Sequence, residues 1–191
     1  MDPGGAAPET SRREALSKAL LEEGDRLYAL ALRVTRDPDL AADAVQEAFA
    51  TALERESGFR GESSLATWLH RIVFTKAIDL LRRRGREGPL PEDDPEARPP
   101  QGGDMGRAPS WARPPDALLL GKETRVALEK ALGALTPAQR AIFELKEAEG
   151  RPTEEVAAIL GMPPGTVRVH LHRARLKLRS LLGEHFRRGR T

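Results

Sequence analysis

Apolar residues recur at helical spacing along most of this chain, and no alternating strand pattern of useful length occurs. The segment from Phe59 to Arg84 carries the clearest case. A Gly/Ser-rich loop leads into Leu65, Trp68, Leu69, Ile72, Val73, Ala77, Leu80 and Leu81, whose spacing predicts one buried helical stripe. Arg71, Thr75 and Arg82 fall on another face, flanked by Lys76 and Arg83. Upstream, Val45, Ala48, Phe49, Ala52 and Leu53 predict the buried side of a second amphipathic helix. Downstream, Val156, Ala157 and Leu160 predict a short helix, and Val167, Leu171, Ala174, Leu178 and Leu181 a longer one. The pattern predicts an all-α protein.

Local start and stop signals agree with this division. Asp37-Pro38 places a capping carboxylate before a proline at the first helical position. Ser63 or Ser64 can cap the Trp68 helix, and Asp116 a helix running through Leu128. Thr136-Pro137-Ala138-Gln139 reads as a capping box. Thr153 is expected to cap the short helix, and Gly161 to end it, because a helix C-terminus favours a residue that tolerates positive φ. Met162-Pro163-Pro164 then makes a turn, with Pro164 opening the next helix. Residues 153–179 therefore predict a helix–turn–helix. The longer helix carries Arg168, His170, Arg173, Arg175, Lys177 and Arg179 on its other faces. A helical hairpin with a solvated basic face is the plainer alternative.

Composition divides the chain further. Residues 1–11 read as a disordered tail, 12–85 as one helical domain, 86–115 as a flexible acidic linker, 116–186 as a second helical domain and 187–191 as a basic tail. The linker holds eight of the fifteen prolines, and Trp111 stands alone in it. Net charge is only +2, but residues 12–56 hold ten acids against seven bases, whereas 151–191 hold nine bases against three acids. A local basic field attracts nucleic acid whatever the far end carries. The absence of cysteine excludes disulfides, thiol catalysis and cysteine-containing zinc sites. No signal-peptide pattern or membrane-length apolar run occurs, so a cytoplasmic protein is expected.

The candidate chemistry is that of nucleic-acid binding. Six Lys/Arg against one acid lie between His70 and Arg86, behind a polar loop and beside an aromatic, as a single-strand site requires. Two enzyme-like constellations are weak. His170 and His172 are two apart on a helix and diverge, and Asp43 and Glu47 have no nucleophile beside them. No catalytic role, metal or cofactor is expected.

Taken together, DPDLAADAVQEAFATALER, FRGESSLATWLHRIVFTKAIDLLRRR and LTPAQRAIFELKEAEGRPTEEVAAILGMPPGTVRVHLHRARLKLRSLL resemble the two domains of an extracytoplasmic-function sigma factor, of the sigma-70 family. The resemblance covers about residues 15–85 and 117–182. It implies a subunit that binds bacterial core RNA polymerase and starts promoter-specific transcription, as an alternative sigma factor answering stress or another signal. Asp43, Gln46 and Glu47 match the surface for the β′ clamp helices, and the β flap is a second implied contact. Arg60, Ser63, Ser64, Trp68, Arg71, Thr75 and Lys76 match the part that opens and reads the −10 element, with Arg82 and Arg83 on nearby phosphates. Thr166, Arg168, Val169, His170, Arg173 and Lys177 match the part that meets the −35 element. An anti-sigma factor is an implied partner. Thr75 stands where the family usually has Asn, and Val169 and His170 where it usually has Ser and Arg. A titrating His170 would weaken DNA binding as pH rises. A free-standing helix–turn–helix regulator is the competing reading, although it has no use for a strand-opening module.

Overall fold

The structure, a computed structural model, describes residues 9–55, 58–59, 61–85 and 122–188, with side chains at 13–55, 58–59, 61–85 and 126–183. Arg60, Trp111, the Asp116 cap and the segment 86–115 lie outside the described residues. Every regular element among the described residues is helical. The chain divides into two compact units, the first ending at Arg86.

The first unit packs three helices, α1 (Glu9–Thr35), α2 (Pro38–Glu54) and α3 (Leu65–Arg83), each against the other two. Helix α1 begins at Glu9, inside the segment expected as a tail. Its C-terminal turn closes with the Thr35 hydroxyl donating to the Ala31 carbonyl at 2.9 Å and Arg36 in the left-handed region at φ 56°. Asp37 then caps α2, its Oδ1 accepting from the backbone amides of Asp39 and Leu40 at 3.1 and 3.2 Å.

The buried side of α2 differs from the expected one. It consists of Leu40, Ala41, Ala44, Ala48 and Ala52, while Val45 and Phe49 are only half-buried and Leu53 is 38% exposed. Small side chains let neighbouring helices approach closely. The larger apolar residues are pushed to the rim.

Helix α3 differs in a related way. Leu69, Val73, Ala77, Leu80 and Leu81 are buried as expected, but Leu65, Trp68 and Ile72 are only half-buried. Thr67, His70, Phe74 and Ile78 are buried instead. Two helices cover α3, so its buried arc is wider than a single stripe and is centred elsewhere.

The second unit contains α4 (Lys122–Gly133), α5 (Pro137–Phe143), a π-helical turn (Glu144–Ala148), α6 (Thr153–Leu160) and α7 (Pro164–Arg188). The capping box forms: Thr136 Oγ1 accepts from the Gln139 amide at 3.3 Å, and Gln139 Oε1 from the Thr136 amide at 3.1 Å. Ala131, Leu132, Leu135, Phe143, Ala174 and Leu178 form the core between α4, α5 and α7. Arg140 is buried and donates from Nη1 to the Leu135 carbonyl at 2.8 Å. Leu181, expected in the buried stripe of α7, is 38% exposed.

Thr153 is the first residue of α6 rather than its cap. Pro152 occupies the capping position, where its ring supplies no side-chain acceptor. Gly161 ends the helix at φ 68°, and the Met162 amide closes the turn on the Ala157 carbonyl at 3.1 Å. Among the described residues no helix is long and apolar enough to cross a membrane, and no group of three or more acidic or histidine side chains is placed to hold a metal ion.

Candidate nucleic-acid interface

In the first unit, the loop before α3 turns at Gly61, which sits at φ 73°. Ser64, not Ser63, is the cap: its Oγ accepts from the Thr67 amide at 3.1 Å and lies 2.8 Å from the Thr67 hydroxyl. This pins the loop to the first turn of α3. Trp68 does not stand alone, since the Phe59 ring lies 5.3 Å from it, tilted by 48°. The pair gives a partly exposed aromatic surface beside the loop.

Further along α3, Arg71, Thr75 and Arg82 face solvent. The Thr75 hydroxyl donates its proton to the Arg71 carbonyl at 2.9 Å. What it offers outward is therefore a pair of acceptor sites on the oxygen. Arg71 carries no ion pair among the described residues, and Arg82 only a loose one with Asp79 at 3.7 Å.

Lys76 and Arg83 are held differently. Both reach across to α2, where Glu47 receives Lys76 on Oε2 and Arg83 on Oε1, each at 3.4 Å. Arg84 makes a parallel tie to Asp37 at 3.2 Å. Glu47 thus stands in one cluster with two cations assigned from sequence to a different surface. Asp43 and Gln46 remain exposed on the outer face of α2. Nothing in the spacing reveals this cluster, because Glu47 and Arg83 are 36 residues apart.

In the second unit, α6 and α7 form the two arms of a helix–turn–helix. Arg168, Arg173 and Lys177 on α7 are exposed and Thr166 is half-buried. Among the described residues Arg168 makes one ion pair, with Glu154 of α6 at 3.5 Å between two exposed side chains. Arg175 turns inward and pairs with the nearly buried Glu147 of the π-helical turn, bracing α7 against it. Behind α6, Arg151 bridges Glu149 and Glu155 at 2.5 Å each. Burial alone would lower this guanidinium's pKa, but the two carboxylates outweigh it and raise it above its ordinary value.

Val169 and His170 do not belong to the exposed face. They are 5% and 8% exposed, buried in the second unit. His170 lies three residues after Val167 and four before Ala174, so helical periodicity carries it into the buried arc. Burial first, then the Arg173 charge, lowers its pKa below the usual 6.5. The ring is neutral at neutral pH, and the expected loss of DNA affinity with rising pH does not follow. The pH effect moves to stability. The unfolded chain binds this proton more readily, so stability falls as pH drops below 6.5 and is unaffected above it. Thermal unfolding of wild type and His170→Asn at acidic and neutral pH checks this: wild type should lose more of its Tm on acidification. Equal losses would assign the effect to another group.

A basic, aromatic-flanked helix in one unit and a helix–turn–helix in the other are features of nucleic-acid-binding proteins. Residues 20–87 match the sigma-70 region 2 family model, and residues 125–178 match the sigma-70 region 4 model. The ECF RNA polymerase sigma factor SigE of Mycolicibacterium smegmatis is 33% identical over 166 residues, which is 86% of this chain and 60% of that protein. The ECF RNA polymerase sigma-E factor of Escherichia coli K12 is 36% identical over 133 residues, 70% of this chain and 69% of that protein. Among solved structures, the sigma factor RpoE from Bartonella quintana, crystallised with the anti-sigma factor NepR, aligns at a TM-score of 0.61 and 27% identity. That alignment covers 89% of this chain and 98% of the other. CnrH, solved with the cytosolic domain of CnrY, shares the fold at a TM-score of 0.60 and 22% identity, over 90% of each chain. The chain belongs to the sigma-70 family of transcription initiation factors, among its extracytoplasmic-function members.

Proposed function

We propose that this chain binds bacterial core RNA polymerase and directs it to promoters by contacting the −10 and −35 elements with its two units, and that it does so as an alternative sigma factor under the control of a signal. The observation that carries this reading is the presence, in one chain and in order, of a region 2 module and a region 4 module. Asp43, Gln46 and Glu47 on α2 meet the β′ clamp helices, and the second unit meets the β flap. The loop at Ser63 and Ser64, with Trp68, Arg71 and Thr75, takes unstacked bases of the −10 element, while Lys76, Arg82 and Arg83 lie along its phosphates. By the same resemblance Arg60 also contacts the −10 element. Flipping a base costs a few kcal/mol, which stacking and hydrogen bonds must offset.

At the −35 element the exposed Thr166, Arg168, Arg173 and Lys177 make the contacts, and the buried Val169 and His170 shape the helix behind them. An anti-sigma factor is a further partner, as RpoE and NepR illustrate. A free-standing regulator leaves the first unit without a task.

Gel filtration with core polymerase followed by run-off transcription from genomic fragments tests the reading. Wild type should co-elute and produce new promoter-specific transcripts. Asp43→Ala combined with Gln46→Ala should weaken co-elution about tenfold or more, within the range of interface hot spots. Failure of wild type to co-elute would return the chain to the regulator reading.

A further inference from the structure

We propose that Glu47 has a second task beyond meeting the polymerase: in the chain alone it competes with DNA for Lys76 and Arg83, so that the cations are released to phosphate when a partner engages Glu47. This rests on the sigma-factor reading above. One carboxylate serves both cations, Oε2 taking Lys76 and Oε1 taking Arg83, each at 3.4 Å. A phosphate approaching either cation meets a fixed negative charge in the place it would occupy. All three side chains keep contact with solvent, at 35%, 25% and 63% exposure. Ion pairs of that kind are weak and exchange readily. The lock is therefore soft enough to open when a partner's cation takes Glu47, and opening changes the local charge from +1 to +2. The neighbouring tie between Arg84 and Asp37 does not share this property, because Asp37 also caps α2 through Oδ1. Glu47 is thus a positioning residue for two DNA-facing cations, set on the polymerase-facing helix.

The test is the affinity of the full-length chain, without polymerase, for a labelled single-stranded oligodeoxynucleotide across a salt series. Glu47→Gln should tighten binding about 3- to 10-fold at low salt, and steepen the salt slope by about 1.4, the increment for two single-strand phosphate contacts. Glu54→Gln removes the same charge from the exposed end of the same helix, where no ion pair exists among the described residues. It should give little of the gain. In a Lys76→Gln, Arg83→Gln background the Glu47→Gln gain should vanish, which a general charge effect or a folding change would not produce. Equal gains from Glu47→Gln and Glu54→Gln, or a gain that survives in the double background, would overturn the lock. If wild type fails to co-elute with core polymerase, the sigma-factor reading fails; if it co-elutes while the DNA results go against Glu47, only the lock fails.

Discussion

Ala48→Leu should destabilise the first helical unit by about 1–3 kcal/mol, the usual cost of forcing extra methylenes into a filled core. For a domain of this size each kcal/mol shifts Tm by about 4–8 °C, so a thermal scan resolves the effect easily. The reason lies in α2, whose buried side is mostly alanine at positions 41, 44, 48 and 52. Leu40 is the one large apolar side chain buried there. Helices α1 and α3 both close down on that side, and a leucine at 48 must push one of them away. Leu53→Ala supplies the contrast. Leu53 is 38% exposed, and its truncation should stay within about 0.5 kcal/mol, as surface changes usually do. A silent Ala48→Leu would count against close helix packing at Ala48, and a costly Leu53→Ala would return Leu53 to the buried side expected from apolar spacing.

Arg168→Ala should weaken promoter recognition about 10- to 100-fold while leaving thermal stability unchanged. An arginine that reads a guanine edge with two hydrogen bonds contributes about 1–3 kcal/mol of discrimination. Its one ion pair among the described residues, to the exposed Glu154 at 3.5 Å, is too weak to hold the fold. Val169→Ala and His170→Ala should show the reverse: lower stability, by about 1 kcal/mol, with the base preference of the folded protein unchanged. Run-off transcription from promoters varied at the −35 element, beside thermal unfolding of the same variants, separates the two outcomes. A changed base preference in the Val169 or His170 variants would place those residues at the DNA despite their burial.

Much of the architecture was legible beforehand. The caps at Asp37 and Thr136 and the stop at Gly161 depend on one or two residues acting on their nearest backbone groups, whereas only the structure chose Ser64 over Ser63. Thr153 misled because the residue type suits a cap, while the backbone begins its helix there and leaves Pro152 outside. The helix–turn–helix was equally readable, since its turn is built from Gly161, Met162 and two prolines.

The amino-acid order alone determined that the chain is helical, several helix starts and stops, and that positive charge gathers on α3 and α7, but not the start of α1 at Glu9 or the cap of α6. It also determined the family, because both motif sets are local strings. Packing decided which side of each helix is covered. Spacing tells which residues share a face, but the width of the buried arc depends on how many neighbours close on it, which is why Phe74 and Ile78 are inside and Leu53 and Leu181 are not. Packing also decided the partners of the charges. Glu47 joins Lys76 and Arg83, and Glu147 joins Arg175, only because separate helices are brought side by side. An ion pair between distant parts of a chain is a property of the interface that forms, and no local pattern encodes it.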